Sequence, residues 1–512
     1  MGTVRERRAK LSIVVSLIAR VVTLVCGLIV TPLLLKAFGT ELYGATASIT
    51  QFLSFITLLN GGVSGVSRAA LYKPLADNDM DAVGKIIYEI RKFYKIVGSI
   101  FTVYVIVLAC SFRAISHTDV VDWLTSFLLV IVISITTFAQ YFIGISNAIL
   151  LTAAQRVYLL QLNTIITTLL NMIMVVVLVH VHSNIVIVKL VSSAVYALSP
   201  VLMWVYVKKI FVHLKPKKSD EIVLTQKWTG LGQHVAGFLH GNVDIAVLTV
   251  LSDLNLVAVY SVYNMVIANI YNVVSAFTSG MEAVFGDMLA KRETEKLKQT
   301  FDVYDTGISY VSGLLFSVTT VMIVPFVKIY TEGVEDANYI RPAFAVILAL
   351  ATYYFTARMP YHSMVVAADR FKQTRSAAYG EAIINAVLSV ILVWKFGLIG
   401  VAIGTLVADL FRYIYYAGYL SKHVLYLSFA SFIKRFVFNL MNYALACAVG
   451  FVIVRQFDIT NYFVWALAGA VVTAASFLIH TLGVALFYRS HISTLLGILL
   501  KRKPKRNVEK KH

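Results

Sequence analysis

Apolar residues in this chain come in long unbroken runs, not in the period-two alternation of strands or the single stripe of a surface helix. Fourteen runs can be drawn, at 11–35, 42–69, 94–112, 123–151, 157–179, 185–207, 228–251, 256–289, 304–327, 340–367, 376–393, 398–420, 436–454 and 462–487. A helix needs about 20 apolar residues to cross a hydrocarbon core, so each run predicts one transmembrane helix. The second, fourth, eighth and tenth runs exceed one bilayer thickness, which predicts tilt or extension into the cytoplasm. The expected fold class is an all-α integral membrane protein of about 14 helices.

Polar residues between the runs orient the chain. With the N-terminus cytoplasmic, 35 of the 45 Lys and Arg residues fall in cytoplasmic segments, six in external loops and four within the runs. Basic residues collect in cytoplasmic loops, so the alternation supports the helix count and places both termini in the cytoplasm. The basic stretch 208–227 divides helices 1–6 (1–207) from helices 7–12 (228–421), and 422–512 adds helices 13 and 14 with a basic tail. The turns Phe38-Gly39-Thr40-Glu41 and Leu251-Ser252-Asp253-Leu254 each lead from one predicted helix into a long one, about 213 positions apart. This faint echo predicts two parallel lobes.

Composition agrees. The chain is 59% hydrophobic and 14% charged, with a mean hydropathy of +0.79, where a soluble domain is about a quarter charged. The formal charge of +19 lies in alternating loops, which argues against nucleic acid as a partner and for the bilayer. Cys26, Cys110 and Cys447 fall inside apolar runs and read as small core residues. The first run is too long for a signal-peptide core and has no small-residue cleavage site after it. No G-x-x-x-x-G-K-[ST] or H-E-x-x-H occurs. Any transport is therefore expected to draw on an ion gradient or on the substrate gradient, with no organic cofactor.

Ionisable groups within a membrane are costly, about 2.5–3.5 kcal/mol each at a helix centre on insertion scales, and each is a candidate site. Arg20 lies nine residues into helix 1, about 14 Å at 1.5 Å per residue, and reads as an anion contact or a structural ion pair. Helix 7 aligns Gln233, His240 and Asp244; the last two are one turn apart and read as a proton or sodium site or as a helix-stabilising pair. In helix 12, Thr405, Asp409 and Arg412 share a face, and Asp409 with Arg412 reads as a self-neutralising pair or as a functional one. Arg358 lies nearer the cytoplasmic side of helix 10. Lys189 lies near the external end of helix 6, within snorkelling reach of the interface. Glu381 aligns with Asn385 and Ser389 in helix 11. Uncharged polar stripes run along helix 2 (Thr46, Thr50, Ser54, Thr57), helix 5 (Asn163, Thr167, Asn171) and helix 8 (Asn264, Asn272). Each serves a cavity or interhelical hydrogen bonding equally well.

The stretches Thr31-Pro32-Leu33-Leu34-Leu35, Phe38-Gly39, Tyr43-Gly44, Asn60-Gly61-Gly62 and Arg68 resemble the Wzx-type polysaccharide flippases of the multidrug/oligosaccharidyl-lipid/polysaccharide (MOP) exporter superfamily. So do Asp369-Arg370-Phe371-Lys372, Glu381-Ala382-Ile383-Ile384-Asn385 and Phe396-Gly397-Leu398-Ile399-Gly400. The resemblance implies two six-helix bundles around a central cavity, as in multidrug exporters of the superfamily, plus two C-terminal helices. It implies alternating access in a bacterial cytoplasmic membrane, and an undecaprenyl-pyrophosphate-linked oligosaccharide as substrate, with other polysaccharide assembly proteins as partners. Arg20, Arg358 and Arg412 would then attract the pyrophosphate, since a guanidinium fork suits phosphate and stays charged. Asp244, with His240, or Asp409 would carry a coupling proton or sodium ion. A lipid II flippase would crowd more arginines into helices 1 and 2. A multidrug exporter would place acids where this chain has arginine, and a lipid-linked sugar polymerase or ligase would need a large external loop. A non-transporting scaffold of the same architecture is the remaining alternative.

Overall fold

In lipid no water replaces a lost backbone hydrogen bond, so an apolar run must satisfy its amides internally and coil. The computed structural model follows that rule: it is 87% helix with no strand among the described residues. It describes residues 2–118, 121–218, 231–278 and 280–487, without the side chains of 2–6, 9, 231–234, 236 and 240. Residues 219–230, which include the end of the predicted linker, and the tail from Arg489 lie outside the described residues.

The helices are α1 (Gly2–Phe38), α2 (Thr40–Ser54), α3 (Val63–Ala76), α4 (Met80–Ser116), α5 (Trp123–Ala139), α6 (Ile145–Ala153), α7 (Val157–His180), α8 (Ile185–Ile210) and α9 (Leu231–Leu251). They continue as α10 (Leu254–Ala276), α11 (Met281–Ala290), α12 (Thr294–Tyr330), α13 (Pro342–Ala357), α14 (Met359–Ala367), α15 (Phe371–Phe396), α16 (Leu398–His423), α17 (Phe429–Val454) and α18 (Tyr462–Phe487). Among the described residues, thirteen helices are long and apolar enough to cross a membrane. The seventh predicted span is α9, whose described apolar part is Gly241–Leu251. The protein is a multi-pass membrane protein, and its outer surface shows why: Ile13, Val103, Trp394, Phe463 and Leu486 are each more than 60% exposed, a distribution that suits lipid and not water.

The four overlong runs are not simply tilted or extended helices; each is broken. The second passes from α2 through a 3₁₀ stretch, Phe55–Asn60, and stops at Gly61 and Gly62, whose φ of 49° and 80° lie in the left-handed region that glycine enters without strain. The fourth carries a π-helical stretch, Gln140–Gly144, between α5 and α6. The eighth breaks before Gly280 (φ 92°). The tenth breaks at Arg358, and Pro360 stands in the first turn of α14, where its missing N–H costs nothing. Breaks in the second and eighth runs, and in the fourth and tenth, recur six helices apart.

Two compact units are present. The first comprises Met1–Ser261 with Gly333–Asn338, the second Val262–Glu332 with Tyr339–His512, so the division falls inside α10. In the first unit α1 lies along α7, and α5 packs on α2, α4 and α8 around a core that includes Ile49, Tyr94, Phe101, Phe112 and Leu150. The tight turn after α1 is built by Gly39 (φ 83°) and closed by Asp336, whose carboxylate accepts from the Thr40 amide at 2.6 Å and from its hydroxyl at 2.5 Å. Asp336 thus supplies from a distant loop the N-terminal cap that α2 lacks locally. Asp336→Ala is expected to cost about 1–2 kcal/mol of stability, measurable as a lowered melting temperature in detergent. A melting curve superimposable on wild type would remove the cap.

In the second unit α17 is held to α12 by Arg435, which bonds Asp302 at 2.8 Å and lies 3.5 Å from Asp305; Tyr361 of α14 donates to Asp305 at 3.2 Å. The alternation of charge counts Arg435 with the cytoplasmic loops, yet its side chain turns inward. Tyr443 of α17 stacks on Tyr353 of α13, centroids 4.8 Å apart. The cysteines divide: Cys26 and Cys447 are buried as expected, whereas Cys110 is exposed on α4, because its position falls on the outward face of that helix.

Candidate functional site

The densest buried charge lies in the second unit, where α13, α14, α15 and α16 meet. A single glycine, Gly397 (φ 54°), joins α15 to α16 and folds them into a close antiparallel hairpin. Residues equally far from Gly397 therefore come level. Glu381 and Arg412 are sixteen and fifteen residues from it, and they meet. Close approach is possible because Gly400 and Gly404 face the partner helix: a Cβ on Gly404 would lie 2.9 Å from the Ser389 amide nitrogen.

Glu381 is the hub. One carboxylate oxygen accepts from Arg358 Nη1 and the other from Arg412 Nη1. Asp409 Oδ1 lies 3.8 Å from Arg358 Nη1. Exposure is 0% for Glu381, 1% for Asp409, 5% for Arg358 and 8% for Arg412. Two cations and two carboxylates thus share one buried space. Aromatic rings complete it. Arg412 Nη2 donates to Tyr416 Oη at 2.8 Å, and the guanidinium carbons of Arg358 and Arg412 lie 4.7 and 5.0 Å from the ring centres of Phe355 and Tyr416. Among the described residues the Nε of Arg412 has no hydrogen-bond partner. One turn further along the hairpin, Ser389 Oγ donates to Asn385 Oδ1 at 3.0 Å, and Thr405 Oγ1 lies 3.2 Å from the Val401 carbonyl.

The sequence pairs Arg412 with Asp409 on one helix. The structure instead gives Arg412 to Glu381 across the hairpin and sets Asp409 beside Arg358. Glu381 is the residue that sequence reasoning left without a role. Its signal was present: an acid in line with Asn385 and Ser389, placed symmetrically to Arg412 about a glycine turn.

The other candidates lie in the first unit. Asp244 of α9 is 4% exposed, and Tyr260 Oη of α10 donates to its carboxylate at 2.8 Å. His240 is one turn away in the same helix, but its side chain, like that of Gln233, lies outside the described residues. Arg20 is exposed on α1 and so stands apart from the buried arginines. The polar stripes serve different ends. Asn163 and Thr167 are buried, and Asn163 Nδ2 donates to the Ser199 carbonyl at 3.3 Å, which ties α7 to α8. Thr50, Ser54 and Thr57 instead line a cavity.

No family model matches the chain, and no curated protein matches it. Solved structures do. A lipid II flippase, MurJ, in an inward-closed conformation superposes with a TM-score of 0.68 at 17% identity, over 94% of this chain and 100% of that one. An inward-facing multidrug resistance MATE transporter of the MOP superfamily gives 0.58 at 15%, over 79% and 98%. A MOP superfamily transporter from Pyrococcus furiosus, described as having a binding pocket of reverse polarity, gives 0.52 at 16%, over 81% and 96%. The chain has the fold of MOP superfamily transporters.

Proposed function

We propose that this protein flips undecaprenyl-pyrophosphate-linked oligosaccharides from the inner to the outer leaflet of a bacterial cytoplasmic membrane, by alternating access, for surface polysaccharide assembly. The observation that carries this reading is the extent of the match to the lipid II flippase. It takes in the whole of that chain, and the share of this chain left over is smaller than α17 and α18 together. The multidrug transporter matches a smaller share. A lipid II substrate is the second reading, favoured by the same match. The predicted spans 11–35 and 42–69 tell against it, since Arg20 and Arg68 are their only arginines.

In this reading both termini are cytoplasmic, and the basic loops draw anionic headgroups toward the entrance, each Lys or Arg near the surface contributing about 1 kcal/mol. Arg20 receives the pyrophosphate. Arg358 and Arg412 act later, because Glu381 already occupies both: an incoming phosphate, with more oxygens than a carboxylate, exchanges for Glu381 when the hairpin opens. A ligand drives such a change only by binding one state better than the other. Asp244, with His240, or Asp409 is the coupling acid for a proton or sodium ion.

The test is flipping by the purified protein in liposomes, comparing an undecaprenyl-pyrophosphate oligosaccharide with lipid II. Transport of the first and not the second supports the reading, and the reverse result installs the alternative. If Asp244 is the coupling acid, flipping by Asp244→Asn is expected to lose the pH or sodium dependence of wild type, the rate being followed across an imposed gradient. An unchanged gradient response would remove Asp244 as the coupling acid.

A further inference from the structure

The first unit contains a cavity of about 410 Å³ between α2, α5 and α8, a volume within the range of small-molecule sites. These helices form the second, fourth and sixth spans and so run in the same direction. Thr50 lies ten residues into α2, Thr136 thirteen into α5 and Ser193 eight into α8, which sets the cavity about 12–20 Å from their shared end. It opens where two of the spans lose regular geometry. Ile56 and Thr57 belong to the 3₁₀ stretch, and Thr137 lies three positions before the π-helical stretch. Such interruptions concentrate at functional sites.

The lining is hydroxyl-rich, and Lys189 is its one charged side chain. Lys189 is half-buried, and among the described residues its ammonium has no hydrogen-bond or ion-pair partner. It lies four residues from the start of α8, within snorkelling reach of the interface as its position suggests, and its side chain lines this cavity. The hydroxyls are already oriented. Thr50 Oγ1 donates to the Thr46 carbonyl at 2.7 Å and Thr136 Oγ1 to the Ser193 carbonyl at 3.2 Å. With their protons directed into the main chain, these oxygens present lone pairs. They suit a ligand that brings its own O–H donors. A lysine excludes a metal cation, and one compact ammonium matches a single negative charge better than a diphosphate, for which arginine forks are suited.

We propose that this cavity is a binding site for an acidic sugar: a polyol whose hydroxyls donate to Thr50 and Thr136 and whose single carboxylate pairs with Lys189. The proposal rests on the flippase reading for where that sugar comes from, and it names a selectivity site separate from the arginines assigned to the pyrophosphate. Lys189 discriminates between acidic and neutral repeat units.

The experiment measures binding to the purified full-length protein in nanodiscs, using a glucuronic-acid-containing trisaccharide, its neutral glucose counterpart and inorganic pyrophosphate. Wild type is expected to prefer the acidic sugar by roughly tenfold or more, the scale of one charge-assisted hydrogen bond. Lys189→Gln should abolish the preference and leave neutral-sugar affinity unchanged, Lys189→Arg should keep it, and pyrophosphate should not compete. Equal affinity for the two sugars, a preference that survives Lys189→Gln, or no sugar binding by wild type would each overturn the site. Competition by pyrophosphate that depends on Lys189 would reassign the ammonium to the diphosphate and overturn it as well. Flipping by wild type is assayed in parallel. Normal flipping without a Lys189-dependent preference rejects the cavity and keeps the flippase reading. A Lys189-dependent preference in a protein that flips nothing keeps the cavity and rejects that reading.

Discussion

Replacing Glu381 with Gln is expected to destabilise the protein more than any other single substitution considered, by about 3–5 kcal/mol. The carboxylate is fully buried and accepts from both Arg358 and Arg412. Its loss leaves two guanidinium groups in a space where, among the described residues, Asp409 is the remaining carboxylate in ion-pair range. A glutamine fills the same volume, so the effect isolates charge from packing. Thermal melting of purified protein gives the readout, and a shift worth under about 0.5 kcal/mol, the range of an ordinary surface substitution, would show that the network is not held by Glu381. A second arm checks the cause. Arg412→Met in the Glu381→Gln background removes one stranded cation, and it should recover part of the loss, because contacting residues couple non-additively. If the double variant is less stable than Glu381→Gln alone, charge imbalance is not the cause.

Arg20→Ala is expected to reduce flipping of the lipid-linked oligosaccharide by roughly 10- to 100-fold at equal expression, the scale of one lost charged hydrogen bond to phosphate. Arg20→Lys should fall between, since a lysine keeps the charge but loses the planar fork. Arg20 is exposed, so this loss should come with little change in melting temperature, opposite to the Glu381 result. The contrast separates a residue that acts on substrate from one that holds helices together. Wild-type transport by the alanine variant would end the anion role of Arg20.

Much of this was legible without coordinates. Thirteen of the fourteen predicted runs coincide with helices long and apolar enough to cross a membrane among the described residues, and these spans and the outward bias of apolar side chains follow from run length and composition, because lipid permits few ways to satisfy a backbone. The intramembrane ionisable groups could also be located, since each is a costly exception in an apolar run. Even the breaks had markers in Gly61, Gly62, Gly280 and Pro360, although tilt or extension was the simpler reading of four long segments.

Partner choice was not legible. Neighbours on one helix are visible in spacing, which is why Arg412 pairs with Asp409 on paper. The meeting of Arg412 with Glu381 depends on the Gly397 turn and on two glycines that let α15 and α16 approach. Lys189 is the same case: its place near a helix end suggests an escape to the interface, and only the packing of α2, α5 and α8 shows that hydroxyls of three helices line a cavity with it. Local sequence therefore decided which side chains are expensive to bury in lipid, and tertiary packing decided which of them are neutralised, because Coulomb and hydrogen-bond partners are set by distance in space and not by separation along the chain.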